Sequence, residues 1–146
     1  MINVSSVGGR VTTPGLSAYQ AAKWAVSGFT EILAKETAGF GVRAIAVEPG
    51  GIRTDWGTGA TEDDTPIPAE YDGSVGLAHR RLATYTGNEV GDPARIAQVI
   101  VDLSRRDDLP AHLILGSDAL AAFAASEEVR NRDMQAWLPV SRSTDF

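Results

Sequence analysis

At 146 residues, with 43% apolar and 22% charged side chains, the sequence has the proportions of a soluble globular protein and gives no reason to expect two domains. A net charge of −6 and a pI near 4.8 argue against nucleic acid as a partner, because nucleic acid requires a basic face. The lack of cysteine excludes disulfides and thiolate metal sites, and no apolar run approaches the roughly 18 residues of a membrane span.

With no signal-peptide pattern either, no membrane partner is expected and a cytoplasmic location is the default. His79 and His112 stand alone in sequence, without ligand spacing around them, and read as packing or surface residues. In chain order, residues 1–5 read as a short buried strand that ends in Ser5-Ser6-Val7-Gly8-Gly9. Ser17 is a plausible N-cap for a helix over 18–38, whose apolar set Ala22, Ala25, Phe29, Ile32 and Leu33 keeps close to a 3.6-residue period. Gly39 and Gly41 stop that helix, and residues 42–47 read as the next strand. Strand, helix and strand with tight joins form a βαβ unit, which implies neighbouring parallel strands and a right-handed crossover.

Within this unit, Tyr19 and Lys23 are four residues apart on the helix, so their Cβ atoms should lie about 5–6 Å apart. A positive charge about 4 Å from a phenolate, at an effective dielectric of about 20, is worth roughly 4 kcal/mol. That would draw a tyrosine from about 10 towards 7, less what burial takes back, and suit it to move a proton in a transition state. Alone, such a pair is most simply a solvated helix face, and a serine after a strand is most simply a turn or cap residue. Topology adds weight. In open parallel sheets ligands gather beyond the carboxyl ends of the strands. Ser6 follows the first strand, Pro49-Gly50-Gly51-Ile52-Arg53-Thr54 follows the second, and Tyr19 and Lys23 sit at the start of the helix between them.

Residues 55–90 are rich in glycine and polar side chains and read as a long connection, in which Glu62-Asp63-Asp64 is a solvated acidic loop. A short helix over 70–84 would bury Val75, Leu77 and Leu82. Asp92 as cap and Pro93 as first residue open a further helix, with Ile96, Val99, Ile100 and Leu103 on one face. Asp107-Asp108-Leu109-Pro110 breaks it, and His112-Leu113-Ile114-Leu115 forms a third strand closed by Gly116. A helix from Ser117 through about Leu138 should stop at Pro139, leaving residues 141–146 loose. This divides one partial domain into three stretches: 1–54 with the Ser, Tyr, Lys and Pro-Gly motifs, 55–91 as a substrate-loop region, and 92–146 as helix, strand and terminal helix.

The ordered set of strand, Ser-Ser, glycine turn, Tyr-x-x-x-Lys helix, second strand and Pro-Gly resembles the short-chain dehydrogenase/reductase family. The resemblance implies an α/β fold: the C-terminal half of a Rossmann-type doubly wound parallel sheet, about three parallel strands with flanking helices, without the N-terminal half that binds the dinucleotide phosphates. It further implies that Ser6, thirteen places before Tyr19, polarises the substrate carbonyl or alcohol, so that Ser6 is preferred to Ser5. By the same resemblance Tyr19 is the general acid/base, and Lys23 lowers its pKa and holds the nicotinamide ribose. Tyr19, Lys23, Pro49, Gly50, Ile52 and Thr54 are the implied cofactor-binding positions, Ile52 through its backbone. The cofactor is NAD or NADP, since the residue that selects between them has no counterpart here. A small-molecule alcohol or ketone is the implied substrate, and the segment Leu113-Ile114-Leu115-Gly116-Ser117-Asp118-Ala119 leans towards bulky or apolar ones. In the family, subunits commonly pair through the helix bearing the tyrosine, so a homo-oligomer through that helix is one expectation.

The sequence departs from the family in lacking the glycine-rich phosphate loop and the Asn-Asn-Ala-Gly segment, and the first strand would then expose an unpaired edge. Three readings stay open: the catalytic half of an oxidoreductase, a truncated remnant that binds no dinucleotide and acts by association with other chains, and a half-enzyme completed by a separate polypeptide. The isolated chain is expected to be inactive.

Overall fold

A computed structural model describes residues 1–62 and 65–146. The central strand is β2 (Ile45–Pro49), buried along its whole length. On one side it pairs in parallel with β1 (Ile2–Val4), Ile2 opposite Ile45 and Val4 opposite Val47. On the other it pairs in parallel with β3 (His112–Leu115), Ala46 opposite His112 and Pro49 opposite Leu115. The result is a three-stranded parallel sheet of order β1-β2-β3 with flanking helices. The connection from β1 to β2 is a 3₁₀ turn (Val7–Gly9) followed by α1 (Ser17–Thr37). Between β2 and β3 come α2 (Trp56–Thr61), α3 (Leu77–Tyr85) and α4 (Pro93–Leu103), and α5 (Ser117–Arg142) follows β3.

Side chains on a strand alternate between the faces of a sheet, and here the two faces differ in chemistry. Ile45 and Val47 point to the face covered by α4, where they meet Leu103, Val99, Ile100 and Leu109, together with Ile2, Leu113 and Leu115 from the flanking strands. This is the apolar core. The intervening Ala46 and Glu48 belong to the other face, under α1, and this face is polar. Asn3 Nδ2 donates to Thr30 Oγ1 at 2.9 Å, and Ser27 Oγ donates to Glu48 Oε1 at 2.8 Å. His112 Nδ1 lies 2.9 Å from Glu48 Oε1, its Nε2 lies 3.2 Å from Glu31 Oε2, and Arg10 Nη1 lies 3.4 Å from Glu48 Oε2.

That arrangement decides which face of α1 meets the sheet. The residues it buries are Gln20, Ser27 and Thr30, whereas Ala22, Ala25, Phe29 and Ile32 face outward and Leu33 is half-buried. A 3.6-residue period identifies an apolar stripe but does not say that the stripe meets the sheet. Here the polar stripe does, because β2 offers it a buried carboxylate.

Several boundaries also shift. Ser17 is the first helical residue of α1, and no side chain caps that end. The second strand starts three residues later than 42, after Gly41 has turned the chain at φ 73°, and it extends through Glu48 and Pro49. Trp56–Thr61 is helical where only loop was expected, while the expected helix over 70–84 is split into a 3₁₀ turn (Ala69–Tyr71), a π turn (Asp72–Gly76) and α3. Val75 and Leu82 are half-buried there, and Leu77 is exposed. Of the acidic run, Asp63 and Asp64 lie outside the described residues. Asp92 caps α4 as expected, its Oδ1 accepting from the Ala94 and Arg95 N–H groups at 2.8 and 3.3 Å.

Finally, α5 does not stop at Pro139 but runs through it to Arg142. The proline sits in the last turns of an exposed helix, where the carbonyl its missing N–H leaves free is open to solvent. The Ser143 N–H bonds back to the Pro139 carbonyl at 3.1 Å, so only residues 143–146 fall beyond the helix. Among the described residues, no helix is long and apolar enough to cross a membrane.

Candidate active site at the carboxyl ends of the strands

The chain leaves β1 through two serines that go separate ways. Ser5 is buried: its Oγ donates to the Lys23 carbonyl at 3.0 Å and lies 2.9 Å from Ser27 Oγ. Ser6 caps the 3₁₀ turn, its Oγ accepting the Gly8 N–H at 3.0 Å. The two glycines of that turn allow it to press against α1. A Cβ on Gly9 would stand 2.8 Å from the Lys23 carbonyl oxygen and 2.7 Å from Ser27 Oγ, closer than real contacts allow. A Cβ on Gly8 would sit 3.4 Å from Ser6 Oγ, from Tyr19 Cε1 and from Gln20 Cγ alike. The Ser6 hydroxyl and the edge of the Tyr19 ring therefore border the same small volume.

The first turn of α1 is held by Gln20, which is buried and accepts the Thr13 N–H through Oε1 at 2.7 Å. Tyr19, one residue earlier, is half-buried, with its ring centroid 5.4 Å from that of Trp56 at 42° between planes. One turn on, Lys23 Nζ lies 5.8 Å from the Tyr19 centroid and donates to the Val4 carbonyl at 3.2 Å, which fixes the ammonium at the end of β1. Ser6, Tyr19 and Lys23 thus come together at one edge of the sheet.

Pro49 is the last residue of β2 and is buried. Beyond it the loop over 49–54 is tied on three sides. The Gly50 N–H bonds to the Leu115 carbonyl at 2.9 Å, the Gly51 N–H to Asp118 Oδ2 at 2.8 Å, and Ile52 bridges in parallel to Gly91, whose N–H bonds to the Gly51 carbonyl at 2.9 Å. In that bridge the partners are the Arg53 N–H and the Gly51 carbonyl, so the Ile52 N–H is left outside the pairing. Thr54 is exposed and engaged locally, its Oγ1 3.4 Å from both the Ile52 carbonyl and the Trp56 N–H. Its side chain is not drawn towards Tyr19 by any of these bonds.

At this edge Trp56 and Tyr85 escaped the sequence reading, and Asp118 entered it only as part of the segment over 113–119, with no role of its own. Tyr85 Oη donates to Asp118 Oδ2 at 3.0 Å, and its pKa is raised, first by burial and then by the Asp118 carboxylate it bonds. Asp118 could have been found by the rule that located Ser6, for it stands just past the carboxyl end of a parallel strand. Trp56 and Tyr85 carry no such signal, since both lie on the long connection whose path the sequence leaves open.

Comparison with known proteins agrees with this fold. Residues 1–65 match the family model described as short chain dehydrogenase. The oxidoreductase BOA17 of Botryotinia fuckeliana is 39% identical over 141 residues, covering 97% of this chain and 51% of that protein. The 3-oxoacyl-[acyl-carrier-protein] reductase FabG of Vibrio harveyi is 36% identical over 104 residues, 71% of this chain and 37% of that one. The crystal structure of a short-chain dehydrogenase from Streptomyces avermitilis superposes with a TM-score of 0.82 at 32% identity, over 99% of this chain and 52% of that one. The chain spans about half the length of the relatives it matches most fully.

Proposed function

Since this chain belongs to the short-chain dehydrogenase family, we propose that it serves hydride transfer between a nicotinamide cofactor, NAD or NADP, and a small-molecule alcohol or ketone, with Tyr19 as general acid/base. The observation that carries this reading is the meeting of Ser6 Oγ and the Tyr19 ring edge around Gly8, with the Lys23 ammonium 5.8 Å from the ring centroid. A hydroxyl and a phenol bordering one volume can hold the same substrate oxygen, the first by hydrogen bonding and the second by giving or taking its proton. Lys23 lends positive charge where the phenolate would form.

The donors also fit the nicotinamide end of such a cofactor. Lys23 commits one ammonium hydrogen to the Val4 carbonyl and keeps the others for ribose hydroxyls, and the Ile52 N–H lies outside the bridge to Gly91. When bound, the cofactor would supply or accept the hydride. Pro49 and Gly50 shape the loop that presents Ile52, and Thr54 closes it. Ser5, bonded to the Lys23 carbonyl, is a structural neighbour of the site and not a member of it. The outward stripe of α1, with Trp24, Phe29 and Ile32 exposed, suits the pairing of two copies through this helix.

The test is turnover of a panel of alcohols and ketones with both cofactors, by a complete, active version that carries this chain joined to a dinucleotide-phosphate-binding half, and by its Tyr19→Phe variant. Loss of the phenol should lower kcat by about 10²–10⁴ while cofactor affinity holds. Turnover close to that of the unsubstituted chain in Tyr19→Phe would overturn the assignment.

A further inference from the structure

The loop over 49–54 carries two consecutive glycines, and the structure gives each a separate reason. A Cβ on Gly50 would collide with the carboxylate of Asp118, and one on Gly51 would lie 2.5 Å from Tyr85 Cε1 and Oη. The loop has thus given up side chains so that one carboxylate and one phenol can close on its backbone. Asp118 Oδ2 accepts both the Gly51 N–H, 67 residues away in sequence, and the Tyr85 hydroxyl, 33 residues away. Its other oxygen, Oδ1, is buried with no hydrogen-bond partner among the described residues, a costly arrangement to keep without a use. Gly116, at φ 109°, lets the chain turn from β3 into α5 so that Asp118 reaches back over the end of β2.

We propose that Asp118 is a positioning residue for the nicotinamide end of the site: by holding the Gly51 N–H and the Tyr85 hydroxyl together it sets the orientation of the Gly51–Ile52 peptide. This rests on the oxidoreductase reading given above and adds to it a residue that touches neither substrate nor cofactor. Tyr85 makes the tie cooperative. Its ring covers Gly51, and its hydroxyl, kept protonated by burial and by the carboxylate, completes the acceptor's shell. The Ile52 N–H next in the chain is then presented away from the bridge to Gly91.

The experiment compares Asp118→Ala, Asp118→Asn and Tyr85→Phe with the unsubstituted chain, using amide hydrogen exchange and fluorescence titration with reduced nicotinamide mononucleotide. That probe carries the nicotinamide ribose and phosphate but no adenylate. Asp118→Ala should speed exchange at Gly51 and Ile52 and weaken the probe about tenfold, the worth of one hydrogen bond to a charged group. Asp118→Asn, which retains an acceptor oxygen, should recover most of both effects, and Tyr85→Phe should fall between. Exchange at Val47 and Leu113, in the strands beneath, should stay unchanged in all three. Unchanged exchange at Gly51 and Ile52 in Asp118→Ala and Tyr85→Phe overturns the proposal, as does a rise spread equally over β2 and β3, which marks a purely structural role. Absence of probe binding in the unsubstituted chain overturns the oxidoreductase reading and the ligand half of this proposal with it, whereas a flat exchange profile beside intact probe binding overturns the Asp118 assignment alone.

Discussion

Glu48 has no exposed surface and yet carries a carboxylate, which the chain tolerates only because three groups meet it. The Ser27 hydroxyl and His112 Nδ1 approach Oε1 at 2.8 and 2.9 Å, and the Arg10 guanidinium approaches Oε2 at 3.4 Å. The cluster has a bearing on the site. Ser27 also lies against Ser5, and Ser5 holds the Lys23 carbonyl, so the buried charge supports the turn of α1 that carries the ammonium. Removing one member of such a group leaves the others desolvated and unpaired. Glu48→Ala should therefore cost about 3–5 kcal/mol in urea unfolding, and Glu48→Gln, which keeps an acceptor, distinctly less. A Glu48→Ala chain within about 1 kcal/mol of the unsubstituted one would show that the cluster contributes nothing net. None of this was legible in sequence, where Glu48 is a single acidic residue before a proline and His112 a lone histidine. Neither carries a local pattern, and their pairing exists only once β2 and β3 are in register.

At the level of elements, the βαβ unit was legible because each part has a local physical signal: apolar runs of strand length, glycines that end a helix, and a 3.6-residue stripe. What the stripe could not tell was its own orientation. Phe29 and Ile32 mark an apolar side of α1 that faces out, while Ser27 and Thr30 mark the side that meets the sheet. Pro139 misled for a similar reason, since its cost falls with exposure and with nearness to the helix end. The 3₁₀ turn after β1 offers the sharpest test of how elements place the site. Gly9 lies so close to α1 that a methyl group there would meet the backbone carbonyl of Lys23, which cannot move aside as a flexible side chain would. Gly9→Ala should push the turn off the helix, cost about 1–3 kcal/mol as overpacking does, and depress turnover by separating Ser6 from Tyr19. Unfolding and turnover both unchanged in this variant would show that the close seating of the turn is immaterial.

For the whole molecule, the sheet has three strands with α4 covering one face and α1 the other, and much apolar surface remains open. Trp24, Phe29 and Ile32 on α1 form an outward stripe with exposures of 41%, 59% and 57%, more than scattered surface residues require. If two copies pair through this helix, sedimentation should show a concentration-dependent dimer that Phe29→Ser with Ile32→Ser converts to monomer. A dimer that survives the double substitution would place the contact elsewhere. The central claim remains that Ser6, Tyr19 and Lys23 act as one proton-transfer site beside a nicotinamide. It is tested most directly by following deuterium from the C4 position of reduced NAD or NADP into the alcohol formed from a ketone. The account predicts deuterium on the carbinol carbon with the chain in a complete, active version joined to a dinucleotide-phosphate-binding half, and none above background once Tyr19→Phe is introduced; transfer that persists undiminished in Tyr19→Phe, or that never occurs in the complete version, would contradict it.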